Sequence, residues 1–229
     1  MFQISNLASG YGQSQILHEL NLDVAKKEIV AVMGRNGMGK TTLFKSLMGI
    51  LPQWGGQIRV DGKDLSQLET HQRVESGIAY VPQGRMIFSH MTVLENIQTG
   101  LPASAGGKVP DDLYALFPVL HDMRHRKGGN LSGGQQQQLA IGRALASQPR
   151  LLILDEPTEG IQPSVIKEIG AVIRKLAERG DMAILLVEQF YDFAAELADQ
   201  YLVMSRGEIV QQGRGENMEA EGVRGLVAI

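Results

Sequence analysis

Gly34-Arg35-Asn36-Gly37-Met38-Gly39-Lys40-Thr41-Thr42 follows directly on the apolar run Ile29-Val30-Ala31-Val32-Met33. Its last residue opens Thr42-Leu43-Phe44-Lys45-Ser46-Leu47-Met48, which reads as a helix. The stretch matches G-x-x-x-x-G-K-[ST], a strand–loop–helix in which glycines let main-chain N–H groups turn toward a phosphate. The helix N-terminus adds partial positive charge at the same point. In this pattern Lys40 reaches the β- and γ-phosphates and the Thr41 hydroxyl ligates Mg²⁺. The alternative is a plain glycine turn between a strand and a helix, but chance yields the full pattern only about 0.01 times in a chain of this composition. A nucleotide-triphosphate site is the expectation.

Moving outward, short runs rich in Val, Ile and Leu recur at Ile78-Ala79-Tyr80-Val81, Leu151-Leu152-Ile153-Leu154 and Ala183-Ile184-Leu185-Leu186-Val187. Continuous apolar runs of this length fit strands of a parallel sheet covered by helices on both faces. Between the last two, Val165, Ile166, Ile169, Val172, Ile173 and Leu176 fall on one helical stripe, with Pro163 near its start and Gly180 just past its end. Strand, helix, strand at that spacing is a βαβ unit and implies an α/β fold. Phe2-Gln3-Ile4 and Gln57-Ile58-Arg59-Val60-Asp61-Gly62 alternate instead and predict antiparallel strands at an edge. Residues 84–150 carry helical patches, no strong strand and a Gly/Pro-rich break between Pro102 and Pro110, so they read as a helical insertion in a single domain spanning 1–229.

Composition narrows the classes. Hydrophobic residues are 43% and charged residues 21% of 229, values that exclude a disordered or fibrous chain. A net charge of −3 argues against a polyanion-binding surface over the whole protein. Zero cysteines exclude disulfides, thiolate metal sites and a cysteine nucleophile. No apolar run approaches the about 20 residues of a membrane-spanning helix, and residues 1–6 lack a signal-peptide pattern. The expectation is a soluble cytoplasmic protein that reaches membranes only through a partner.

Two further motifs carry chemistry. Asp155 and Glu156 end the run Leu151-Leu152-Ile153-Leu154, at the strand edge where ligands of parallel sheets bind. Asp155 is expected to hold Mg²⁺, and Glu156 to polarise an attacking water as general base. Acids after a strand also occur simply near helix N-caps. No N-K-x-D guanine-reading motif is present. Leu131-Ser132-Gly133-Gly134-Gln135 opens a helical stretch that ends shortly before the acids, a second anion-binding terminus or, on the plainer reading, a Gly-Gly loop with a serine N-cap.

Phosphate loop, L-S-G-G-Q and L-L-I-L-D-E, in this order and spacing, resemble the ATP-binding subunit of an ABC transporter over nearly the whole chain. The resemblance implies a P-loop NTPase with a RecA-like parallel-sheet core, an antiparallel β edge subdomain and the helical insertion carrying the signature. It implies ATP and Mg²⁺ as bound groups, and nucleotide contact along Gly34, Arg35, Asn36, Gly37, Met38, Gly39, Lys40, Thr41 and Thr42. It implies a head-to-tail pair of such subunits, identical or not, in which Ser132, Gly133, Gly134 and Gln135 face the partner's nucleotide. By the same resemblance Tyr11 stacks on adenine, and Gln83 contacts Mg²⁺ and the attacking water, so that Mg²⁺ has Thr41, Gln83 and Asp155. Met86, Ile87 and Phe88 either grip a membrane subunit or belong to the insertion's core. Transmembrane permease subunits, an external solute-binding protein and a place on the cytoplasmic face of the inner membrane follow, with no nucleic-acid partner.

The chain departs from the family at two places. No histidine lies beyond residue 125, so Gln189 stands where the family has a histidine against the γ-phosphate. Its amide donates a hydrogen bond but carries no charge, which makes it an expected neutral γ-phosphate sensor without a histidine pH limb. Gln162 stands where the family has an aspartate, and Glu159 has no evident role. Gly34–Thr42, Thr158-Glu159-Gly160-Ile161-Gln162-Pro163-Ser164 and Leu186-Val187-Glu188-Gln189-Phe190 together resemble the branched-chain amino acid and urea importers, and Thr158 to Pro163 is most similar to the urea type. The function expected is ATP hydrolysis powering uptake of urea, with a branched-chain amino acid importer as the alternative. A lipid-export motor, an ABC ATPase acting on DNA or ribosomes, and a nucleotide-binding module without hydrolysis rank lower.

Overall fold

The computed structural model describes residues 2–227. The apolar runs form strands β3 (Ile29–Met33), β7 (Leu151–Asp155) and β8 (Ala183–Glu188), in which every residue is buried. With β6 (Ile78–Val81), β9 (Gln200–Ser205) and β10 (Glu208–Arg214) they build a six-stranded sheet of order β10-β9-β3-β8-β7-β6. All neighbours are parallel except β10, which pairs antiparallel with β9. The register brings Met33 level with Glu188, Asp155 with Val187 and Val81 with Leu154. The carboxyl ends of β3, β8, β7 and β6 therefore reach one edge together.

Two layers cover this sheet because its parallel strands have no polar face. Leu152, Leu154, Ile184 and Leu186 enter one core, whereas Leu151, Ile153, Leu185 and Val187 enter another. The first core is closed by α6 (Gly133–Leu145), α7 (Pro163–Arg179) and α8 (Tyr191–Leu197). In α7, Ile169, Ile173 and Leu176 are fully buried, and Val165, Ile166 and Val172 pack against the same cluster from its margin. The helix stops where Gly180 turns left-handed, at φ 79°. The second core lies under α1 (Lys40–Leu47) and an antiparallel sheet of order β2-β1-β4-β5. Its strands are β1 (Phe2–Tyr11), β2 (Ser14–Val24), β4 (Gln53–Val60) and β5 (Lys63–Asp64).

Between β6 and β7 run α3 (Val93–Gln98), α4 (Asp111–Leu116), α5 (Pro118–Asp122) and α6. Among the described residues of 84–150 the only β-type pairing is an isolated bridge between Thr92 and Lys127. Strand β10 was not legible in the sequence, and β9 carries no stronger signal than β6. Tyr201-Leu202-Val203-Met204 is a four-residue apolar run, and β10 alternates weakly as an exposed edge. Helix α1 begins at Lys40, two residues before the sequence suggested, because Gly39 at φ 104° turns the chain straight into it.

One buried cation holds the far end of α1. Arg73, on α2 (Thr70–Glu75), is 2% exposed. It donates to the carbonyls of Ser46 and Leu47 at 2.8 and 2.9 Å, and to those of Leu68 and Ser66 at 2.9 and 3.0 Å. Ser46 and Leu47 are among the last carbonyls of α1, where main-chain donors run short (the Gly49 N–H still reaches Ser46 at 3.1 Å) and where a cation also meets the negative end of the helix dipole. Arg73→Met leaves four carbonyls without this donor, and thermal or urea unfolding is expected to show a loss of about 3 kcal/mol.

Candidate functional site

The level carboxyl ends of β3, β6, β7 and β8 place four loops side by side. From β3 the chain enters Gly34–Thr42. Gly34 has φ 152°, and a side chain there would meet the Met204 carbonyl of β9 at 2.7 Å, so the loop can pass this point only without a Cβ. Arg35, Asn36 and Gly37 form its exposed crest, and Met38 is anchored by the Gly207 N–H donating to its carbonyl at 3.0 Å. Thr41 is exposed at the start of α1, whereas Thr42 is buried beneath it. The Lys40 ammonium is folded into the loop and donates to the carbonyls of Gly34 (2.5 Å) and Arg35 (3.1 Å). Burial lowers its pKa, and the charges of Glu156, Asp155 and Glu188 oppose that shift.

Glu156 is the meeting point of the loops. Its Oε1 accepts from the Gln189 side-chain amide and lies 4.0 Å from the Lys40 ammonium. Its Oε2 accepts from Gln83 Nε2 at 3.2 Å. Three residues far apart in sequence, from the ends of β3, β6 and β8, thus converge on one carboxylate. The backbone at Glu156 is left-handed, φ 47°, an uncommon state for a residue with a side chain. It is pinned by the Glu156 N–H donating to the Val187 carbonyl at 2.9 Å.

Asp155 ends β7, 4% exposed, and accepts from the Tyr80 hydroxyl at 2.8 Å. Burial raises its pKa, with the Tyr80 hydrogen bond opposing. A buried carboxylate with one side-chain donor retains lone pairs for a cation, and Thr41 supplies a hydroxyl and Gln83 an amide oxygen. These are hard oxygen donors of the kind Mg²⁺ takes, so the residues fit that ion. Among the described residues no three or more His, Cys, Asp or Glu side chains are placed to hold a metal ion together, so any cation would depend on such a mixed set.

The remaining predicted residues take no part in the contacts on Glu156. Tyr11 ends β1, 44% exposed, with the Lys45 ammonium 5.8 Å from its ring centroid. Ser132, Gly133, Gly134 and Gln135 open α6 and make none of the hydrogen bonds gathered on Glu156. Ser132 caps α6, accepting from Gln135 N at 3.3 Å, and Gln135 Oε1 accepts from Ser132 N at 3.0 Å. The plainer reading of this serine is therefore realised in the structure, and it leaves the hydroxyl proton and the Gly133 and Gly134 N–H groups outside that capping box. Gly134 is packed so closely on α7 that a Cβ would come within 2.8 Å of Val165. Met86 and Phe88 are exposed, whereas Ile87 packs against the helical core. Gln162 precedes α7 and makes no side-chain cap bond. Glu159 is exposed, and its carbonyl accepts from Arg85 at 3.0 Å.

Three contributors escaped sequence reasoning: Tyr80, Thr158 and Glu188. Glu188 ends β8 at 1% exposure, and burial pushes its pKa up to about 7. The only sequence signal was an acid closing an apolar run. Because the folded pKa exceeds the ordinary 4.5, the folded chain holds this proton more tightly. The stability linked to it is present below pH 4.5 and is lost as pH rises toward 7. Compared with Glu188→Gln, the wild-type chain is expected to lose about 2 kcal/mol between pH 5.5 and 8 in denaturant unfolding, with Lys40 the cation that feels this charge. A pH-independent difference would place the carboxyl at its ordinary pKa.

Comparison with known proteins agrees with this geometry. The sequence profile described as ABC transporter matches residues 17–159. The high-affinity branched-chain amino acid transport ATP-binding protein BraG of Pseudomonas aeruginosa is 39% identical over 218 residues, covering 94% of this chain and 93% of that protein. The lipopolysaccharide export system ATP-binding protein LptB of Haemophilus influenzae is 33% identical, covering 93% of this chain and 90% of its own. The crystal structure of an ABC transporter's ATP-binding cassette in its ADP conformation superposes with a TM-score of 0.86 at 25% identity, covering 99% and 97% of the two chains. With the phosphate loop, the Asp155-Glu156 strand end and the Ser132–Gln135 helix start on one P-loop NTPase fold, this chain belongs to the ABC transporter family as an ATP-binding, ATP-hydrolysing subunit.

Proposed function

We propose that this chain is the ATPase of an importer for branched-chain amino acids. The carrying observation for the chemistry is the convergence of Gln83, Gln189 and Lys40 on Glu156 beside the phosphate loop. In this reading Tyr11 offers its exposed ring to adenine, the Gly34–Thr42 loop wraps the phosphates, and Lys40 turns from the loop carbonyls to the β- and γ-phosphates. Thr41, Asp155 and Gln83 would hold Mg²⁺, which when bound neutralises charge on the phosphate oxygens. Glu156 takes a proton from water as its oxygen attacks the γ-phosphorus, and the bond to the β-phosphate oxygen breaks to give ADP and phosphate. Gln83 and Gln189 orient Glu156 and the water by neutral amides, so Gln189 senses the γ-phosphate without titrating.

Ser132, Gly133, Gly134 and Gln135 serve the nucleotide of a second, identical or different, ATPase subunit. Exposed Met86 and Phe88 meet permease subunits, and an external binding protein supplies the solute. Among the described residues no helix is long and apolar enough to cross a membrane, which suits a peripheral place on the cytoplasmic face. The solute rests on the names of relatives. BraG, and the probable branched-chain amino acid transport ATP-binding protein LivF of Archaeoglobus fulgidus at 35% identity, favour amino acids over the urea suggested by Thr158-Glu159-Gly160-Ile161-Gln162-Pro163.

Glu156→Gln is expected to bind ATP with unchanged affinity while turnover falls by about 10²–10⁴-fold. Steady-state hydrolysis at the wild-type rate would remove Glu156 from its role. Deleting the gene is expected to abolish binding-protein-dependent uptake of labelled leucine, isoleucine and valine and to leave urea uptake intact. The reverse pattern would restore the urea reading.

A further inference from the structure

The carboxylate of Glu188 divides its two oxygens between two loops. Oε1 accepts from the N–H and the hydroxyl of Thr158, at 3.2 and 2.8 Å. Oε2 accepts from the N–H groups of Gln189 and Phe190, at 3.1 and 3.2 Å. The first loop carries Glu156, two residues before Thr158, and the second carries Gln189 itself. Above this buried junction, near the surface, the Gln189 amide donates to Glu156. The N–H of Glu156 is tied to Val187, the residue preceding Glu188. We infer that Glu188 is a positioning residue for ATP hydrolysis, a buried clamp that sets Glu156 and Gln189 at the separation and orientation their contact requires.

Four donors converge on two oxygens, and only a carboxylate answers all of them. A carboxamide of the same shape would turn an NH₂ group toward one pair of N–H or O–H donors and leave them unsatisfied in the interior. An aliphatic side chain would leave all four without a partner. Burial acts against the carboxylate, as its raised pKa records, so the four bonds do not fully offset the cost of desolvation. The left-handed backbone of Glu156 gives the clamp a second function. That conformation is strained for a glutamate and relaxes if the segment downstream of it is released. Anchoring Thr158 from below holds the turn in which Glu156 is displayed. Glu188 touches neither nucleotide nor water in this scheme and acts through the two side chains it places.

The inference rests on Glu156 and Gln189 acting as proposed above, and the experiment separates the two. ATP turnover and fluorescent-nucleotide affinity are measured on the full chain, assembled with its second ATPase subunit and permease subunits, for wild type, Glu188→Gln, Thr158→Val, Thr158→Ser, the Glu188→Gln/Thr158→Val double variant and Glu156→Gln. Glu188→Gln is expected to lower kcat by about tenfold with KM for ATP within about twofold, because only the placement of reacting groups is disturbed. Thr158→Val, which keeps the volume and deletes the hydroxyl donor, is expected to lower kcat in the same way, and Thr158→Ser to recover most of that loss. The double variant is expected to be no slower than Glu188→Gln alone, since both changes break one unit. Should Glu188→Gln fail to fold, the Thr158 pair decides.

Unchanged kcat in folded Glu188→Gln, a KM that rises as far as kcat falls, or Thr158→Ser as slow as Thr158→Val would overturn the clamp. If those results come with an inactive Glu156→Gln, the clamp alone fails. An active Glu156→Gln would instead overturn the base assignment on which it rests.

Discussion

Parallel strands with no polar face can be buried only between two covering layers, and this requirement organises the molecule. Each apolar side chain of β7 and β8 alternates between the core under α6, α7 and α8 and the core under α1 and the antiparallel sheet. A slip of one residue would turn the whole set to the wrong layer, so the register is held tightly. Fixed register makes the strand ends coincide, and coinciding ends make a phosphate loop, an acid pair and two glutamine-bearing loops into neighbours. The site is a consequence of how the sheet is packed.

Around that edge, neutral amides do much of the positioning. A family member with histidine at the end of β8 would bring a titrating group to this place, whereas Gln189 brings a donor that does not change with pH. Charge enters instead through Lys40, buried in its loop, and through the carboxylates of Asp155, Glu156 and Glu188. Packing so many ionisable groups into one corner costs desolvation, visible in the raised pKa values of Asp155 and Glu188 and the lowered one of Lys40. Such a corner is worth that cost only where charge must later be met, as at a triphosphate.

The parts legible in the sequence were those written as local pattern. Strands β3, β6, β7 and β8 showed as unbroken apolar runs, α7 as a stripe bounded by Pro163 and Gly180, and the loop from Gly34 to Thr42 as a spacing of glycines, lysine and threonine. Strand β10 escaped because one side of an edge strand faces solvent, which blurs alternation. Arg73 escaped because an arginine in a polar stretch looks like a solvated residue until the end of α1 is folded against it. Ser132 was ambiguous between cap and ligand, and the structure uses its oxygen as a cap while leaving the hydroxyl proton outside that contact.

The sequence by itself determined the layered α/β fold and the phosphate loop, since each depends on residues within one turn or one strand of each other. It also marked Asp155 and Glu156 by their place at a strand end. Only the tertiary structure decided which groups meet on Glu156, that Tyr80 bonds Asp155, and that Glu188 joins two loops from beneath. The hydrogen bonds among them link residues from 30 to 75 positions apart, and no local periodicity encodes them. They exist because parallel strands distant in the chain are pressed side by side with their ends aligned.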